Sequence, residues 1–235
     1  MNSQVRIIGE GTVSYKLLDF SIKHNGFVSS TILYAQKPGI SDKLIYHYLI
    51  PRALNNNNAT IIFIVNQPEH LPIDPQPDLL FESVIDNSMQ FKPGRMYKVQ
   101  ASNQDISAKI LSKLRLSIFP RHKESNPLIF IVDTSTKWSS SLENELRRTI
   151  REAPLNNVSV WLHSPIQLIP SDLIASIGNV AVIWPSNSEL ELLKYYLPND
   201  KFDLSDSTLL RGMLFFSSLL CGEKGWEFTE FGTPD

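Results

Sequence analysis

Apolar residues recur along this chain in short continuous runs separated by amphipathic segments. FVSSTILY (27–34), TIIFIV (60–65), RMYKVQA (95–101), PLIFIVD (127–133), VSVWL (158–162) and NVAVIW (179–184) read as strands. The most apolar of them lack polar alternation, the pattern of strands buried on both faces of a parallel sheet. Between them lie segments of helical period. Ser41 can cap a helix carrying Ile45, Tyr48 and Leu49 on one face, which Pro51 ends or kinks, and the asparagines at 55–58 follow as a loop. Ser102 opens a capping box with Asp105, and Ile106, Ile110, Leu111, Leu114 and Ile118 keep helical spacing as far as Pro120. Ser140 opens another with Glu143, followed by Leu142, Leu146 and Ile150 on one face. Further helices are predicted over 171–177, closed by Gly178, and over 188–197, and LLFESVIDNSM predicts a short one.

Strands alternating with helices predict an α/β fold of three layers, with a mostly parallel central sheet flanked by helices and right-handed crossovers. Short β additions are expected at both ends. A hairpin around Gly9, Gly11 and Gly26 precedes the first core strand, and RGMLFF and WEFTEF read as terminal strands, with a helix over 209–220 as the alternative. The domain reading is a 1–26 N-terminal β extension, a 27–216 α/β domain and a 217–235 C-terminal tail. The four prolines of NQPEHLPIDPQPD make 68–77 a stiff surface excursion, a contact arm for a partner or a variable loop.

Composition narrows the function classes. The 235 residues hold 22 Lys plus Arg against 24 Asp plus Glu, so no global field steers the chain toward nucleic acid. The single cysteine, Cys221, excludes an internal disulfide and a cysteine-based zinc site. The five histidines are scattered and form no H-x-x-x-H pair, so no metal site is expected. There is no G-x-S-x-G elbow and no G-x-G-x-x-G turn after the first strand. MNSQVRIIGEGTVSYK lacks a secretory h-region, and 209–221 is shorter than the roughly 20 residues of a span and holds Arg211, so a cytoplasmic protein without a membrane span is expected.

The chemistry centres on 27–54. Strand, turn, lysine and amphipathic segment follow in the order of a phosphate-binding P-loop, in which glycines let N–H groups wrap phosphate and a lysine reaches it. Counting back from Lys43, the two glycine positions of G-x-x-x-x-G-K-[ST] hold Lys37 and Asp42, and the magnesium-binding hydroxyl is replaced by Leu44. Asp133 ends an apolar strand where a magnesium-orienting acid belongs. It is followed by Thr134, Ser135 and Thr136 rather than by a water-polarising glutamate. His163 follows VSVWL where a γ-phosphate sensor belongs, and equally reads as a strand-end histidine.

The second half carries a family resemblance. Pro165, Gln167, Leu168, Pro170, Ser171, Asp172, Gly178, Asn179, Ser186, Asn187, Glu189, Tyr196, Leu197 and Pro198, with LLRGMLFF after them, follow a pattern of strands, turns and helices over 27–216. In order and spacing it resembles the RecA-like motor domain of the FtsK/HerA superfamily, which includes type IV coupling proteins. The resemblance implies a RecA-like P-loop NTPase fold, Lys43 as the phosphate-binding lysine and Asp133 as the strand-end acid. It also implies assembly in rings, with a basic side chain completing a neighbour's site. Arg147, Arg148 and Arg151 could supply that residue or touch nucleic acid, and are equally explained as a solvated helix face with Glu143 four residues before Arg147.

Loss of the cradle, the metal ligand and the water-activating acid together predicts a pseudo-ATPase. The expectation is a catalytically inactive structural or adaptor subunit with protein partners, among them an active ATPase paralogue, in DNA transfer, secretion or repair machinery. No cofactor is expected. The alternatives are an atypical NTPase binding ATP and magnesium through Lys43 and Asp133, with His163 in the catalytic set, and a nucleic-acid-binding module through the three arginines.

Overall fold

The computed structural model describes residues 5–6, 31–35, 46, 50–65, 76–86, 89–120, 122, 126–133, 136–177, 179–183, 186–194, 212–217 and 225–230. Its elements run β1 (Val5–Arg6), β2 (Thr31–Ala35), α1 (Ile50–Asn57), β3 (Thr60–Val65), β4 (Asp78–Leu80), β5 (Met96–Gln100), α2 (Gln104–Ile118), β6 (Leu128–Asp133) and α3 (Ser140–Glu152). They continue with β7 (Val158–His163), α4 (Ser171–Ser176), β8 (Asn179–Ile183), α5 (Asn187–Lys194), β9 (Gly212–Ser217) and β10 (Gly225–Glu230).

One sheet takes the order β1-β10-β9-β8-β2-β7-β6-β3-β5-β4. From β8 to β4 every neighbouring pair is parallel, and the antiparallel pairs are β8 with β9 and β9 with β10. The expected α/β sheet is therefore present, with its short β additions at the β10 edge, where β1 pairs with β10. The tail runs are strands rather than a helix over 209–220.

The uninterrupted apolar runs have a direct cause. Ile62, Ile64, Phe130, Val132, Val160 and Leu162 face a layer in which Leu111, Leu114, Leu142 and Leu146 are fully buried. Ile61, Phe63, Ile129, Ile131 and Trp161 are buried on the other face, where the Tyr46 ring lies 6.1 Å from that of Phe63. A strand covered on both sides has no solvent face to mark with polar residues. Each fully buried aliphatic side chain contributes on the order of 2 kcal/mol.

Several local expectations are corrected. The cap of α2 is Asn103, whose Oδ1 accepts from the Ile106 amide at 3.0 Å, not Ser102. The cap of α3 is Ser139, whose Oγ accepts from the Leu142 amide at 3.3 Å, while Glu143 turns to Arg147. Both changes move the cap by one residue, onto the residue with extended backbone. LLFESVIDNSM holds no α-helix: β4 takes its start onto the edge of β5, and a single 3-10 turn at Glu82–Val84 follows. Pro51 sits in the first turn of α1, where its missing N–H has no intrahelical partner to lose, and the helix continues through Asn57. Asn58, at φ 50, follows the helix. The Ser41 cap, the hairpin before residue 27 and most of the proline-rich segment lie outside the described residues.

Candidate functional site

Parallel strands deliver their last residues to one edge of the sheet, and ligands in such folds bind beyond that edge. β2 reaches it at Ala35, β7 at His163, β6 at Asp133, β3 at Val65 and β5 at Gln100. In register, Leu33 faces His163 and His163 faces Asp133. Residues distant in sequence thus come to one row because β7 lies between β2 and β6. His163 is half-buried and the following Ser164 is buried, with its hydroxyl directed to the Pro165 carbonyl at 3.4 Å. Lys43 belongs to the segment that follows β2 and lies, with Lys37, Asp42 and Leu44, outside the described residues. So does the side chain of Asp133.

The segment beyond β6 is tied to the start of α2. Gln104 donates from Nε2 to Thr136 Oγ1 at 2.8 Å, and its Oε1 accepts from the Ser139 amide. Ser139 Oγ in turn donates to Asp105 Oδ1 at 3.0 Å. These bonds join the N-terminal ends of α2 and α3 beside the strand end that carries Asp133. Nothing in the pattern of the sequence announced this clasp. Its only sequence signal is that each helix follows a strand ending at the same edge.

Chemically, the set is sparse. A threonine hydroxyl cannot replace a carboxylate as a base near neutral pH, and Thr136 is already engaged by Gln104. Among the described residues no group of three or more His, Cys, Asp or Glu is placed to hold a metal ion. By residue type, positions 37, 42 and 44 do not match the magnesium-nucleotide pattern. Leu44 offers magnesium no oxygen, and Asp42 replaces a glycine of the pattern with a carboxylate.

The three arginines part company on α3. Arg147 donates to Glu143 at 2.6 Å and to Asp172 Oδ1 at 2.9 Å. The Asp172 hydrogen bond first, then that of Glu143, raises the Arg147 pKa, and the same guanidinium holds the Asp172 carboxyl below its usual range. Arg148 and Arg151 are exposed. Because α3 starts at the carboxyl edge and rises about 1.5 Å per residue, Arg148 and Arg151 stand about 10 Å or more along it from that edge. They are not brought to the row containing Asp133 and His163.

A second ion group escaped the sequence reading. Arg115 lies on the core side of α2, pairing through Nε with Glu145 at 2.7 Å and through Nη1 with Glu152 at 3.1 Å. Its place within the 111, 114, 115, 118 stripe was the available signal: a cation at a buried helical position needs a carboxylate from the neighbouring element.

No protein-family model and no curated protein sequence matches the chain. Solved structures do. The genome packaging NTPase B204 from Sulfolobus turreted icosahedral virus 2, in complex with ATP-gammaS, superposes with a TM-score of 0.60 at 15% identity, covering 86% of this chain and 96% of B204. Its complex with AMPPCP gives 0.60 at 14% identity, with 88% and 98% covered. B204, the DNA-packaging ATPase from Sulfolobus turreted icosahedral virus, gives 0.59 at 12% identity, with 86% and 96% covered. At such identity the match speaks for backbone architecture: this chain has the α/β fold of a P-loop NTPase.

Proposed function

We propose that this chain is a catalytically inactive, RecA-like subunit that serves as a structural or adaptor component of a DNA-handling assembly. Its partners are other proteins, including an active ATPase paralogue, in the cytoplasm. The observation that carries this reading is the combination of an NTPase fold with a sequence after β2 in which Lys37 and Asp42 stand at the two P-loop glycine positions and Leu44 at that of the metal-binding hydroxyl. The clasp of Gln104 on Thr136 adds to it, since the segment after Asp133 is held by structural hydrogen bonds. The DNA-handling setting comes from the packaging role named for B204 and from the FtsK/HerA resemblance.

The test is calorimetric titration of the purified chain with ATP and magnesium, with Lys43→Ala as control. No heat of binding at millimolar ATP is the expected result. Saturable micromolar binding abolished by Lys43→Ala overturns the proposal. It would favour the second reading, an atypical NTPase using Lys43, Asp133 and His163, for which the register of Asp133 beside His163 speaks.

A further inference from the structure

Near the C-terminal ends of the neighbouring helices α2 and α3 lie two exposed leucines, and α3 carries two exposed arginines. Among the described residues, Leu155 is the most exposed large apolar side chain, at 84%, and Leu116 is 62% exposed. Leu116 projects from α2 and Leu155 from the 3-10 turn Ala153–Asn156 that follows α3. The Arg115–Glu152 ion pair sets the last turns of these helices side by side, at the roughly 10 Å spacing of packed helices. Arg148 and Arg151, three residues apart, share one exposed stripe of α3, and Leu155 lies four residues further along the chain, in the turn that follows the helix.

Two features separate this patch from ordinary surface. The fold supplies Arg147 with two carboxylates, whereas among the described residues neither Arg148 nor Arg151 has an ion-pair partner. Asn144, one turn before Arg148 on the same stripe, is exposed and brings no charge, and Glu152, one turn after it, is taken by Arg115. The turn presenting Leu155 is also pinned. Asn156 donates from Nδ2 to the Glu152 carbonyl at 2.9 Å, and Asn157, at φ 53, returns its amide to Ala153. A leucine held out on a fixed turn loses little freedom when covered.

We propose that Leu116, Arg148, Arg151 and Leu155 form a docking surface for an acidic amphipathic helix of a partner protein. Its apolar face covers the leucines, and its glutamates or aspartates answer the two arginines. Nucleic acid would satisfy the arginines and leave both leucines in water, so the patch as a whole fits protein. The choice of a protein partner rests on the adaptor reading above.

The probe is a fluorescently labelled synthetic helix with leucines at i, i+3, i+4 and i+7 flanked by glutamates, titrated with the full chain and read by anisotropy. Saturable binding is expected, weakened at least tenfold by Arg148→Glu with Arg151→Glu, weakened by Leu155→Ser, and falling as salt rises. All three side chains are exposed, so unchanged thermal melting of the variants shows that folding is intact. Absence of binding, equal binding of a lysine-flanked peptide, or indifference to the arginine reversals overturns the proposal. So does co-sedimentation with phosphatidylglycerol vesicles or binding to single-stranded DNA that the arginine reversals abolish while the peptide fails to bind. The ATP titration is read separately: nucleotide binding together with peptide binding removes the inactive-subunit reading and keeps the docking surface.

Discussion

Arg115 on α2 donates from Nε to Glu145 Oε1 on α3 at 2.7 Å, with both side chains about nine-tenths buried. The Glu145 hydrogen bond is the largest influence on Arg115 and raises its pKa. Truncation to Arg115→Ala strands the Glu145 carboxylate in the interface and is expected to destabilise the chain by about 3–5 kcal/mol in urea unfolding. Replacing both, Arg115→Met with Glu145→Leu, is expected to recover most of that loss, because two apolar side chains need no partner. A double variant as unstable as the single one would show that the pair is not the source of the effect.

Acid should undo the Arg147–Asp172 contact. A carboxyl whose folded pKa is depressed contributes stability above its ordinary ionisation range, and that stability is lost as pH falls through the folded value. Wild type and Arg147→Gln are therefore expected to differ in melting temperature at neutral pH and to converge below the usual aspartate range. A gap that persists undiminished however far the pH is lowered argues that Arg147 acts through packing instead.

Gly94 adopts φ +70, and a Cβ there would stand 2.5 Å from Asn58 Oδ1. Its amide donates to the Asn58 carbonyl at 3.0 Å. Gly94→Ala is expected to lose about 1 kcal/mol, chiefly from left-handed strain, because the exposed Asn58 amide can turn aside. Chemical denaturation of the purified variant measures it.

The clasp at the carboxyl edge should be separable from the core. Ser139→Ala removes the α3 cap and the bond to Asp105, and a loss of about 1 kcal/mol is expected. Hydrogen exchange should quicken in the first turn of α3 while β6 keeps its protection. Uniform loosening of the sheet would contradict the local role given to Ser139.

Most of the sheet was readable because burial on both faces leaves a plain mark. TIIFIV became β3 without a residue's shift, and the runs at 127–133, 158–162 and 179–184 became β6, β7 and β8 within a residue or so. The leucine and isoleucine spacing of α2 and α3 pointed to the faces they bury. The failures lie where one residue type serves two structures. Asp78, Leu79 and Leu80 are compatible with a helix start, and only an open edge on β5 makes them a strand. Ser102 and Asn103 can both cap, and backbone direction out of β5 selects the second. Of the candidate site, the strand-end positions of Asp133 and His163 were legible; that they stand side by side was not.

The amino-acid sequence by itself determined most of the strands and helices, and that positions 37, 42 and 44 lack the two glycines and the hydroxyl of the P-loop pattern. Both follow from local chemistry: period, burial tendency and the presence or absence of particular atoms. Only the tertiary structure decided the strand order that sets β7 between β2 and β6, the clasp of Gln104 on Thr136 and Ser139, and the partners of Arg115 and Arg147. The clasp, the Arg115 pairs and the Arg147–Asp172 pair each join residues 25 or more apart in sequence. Such pairings depend on how elements pack, and no local pattern in either partner encodes the other.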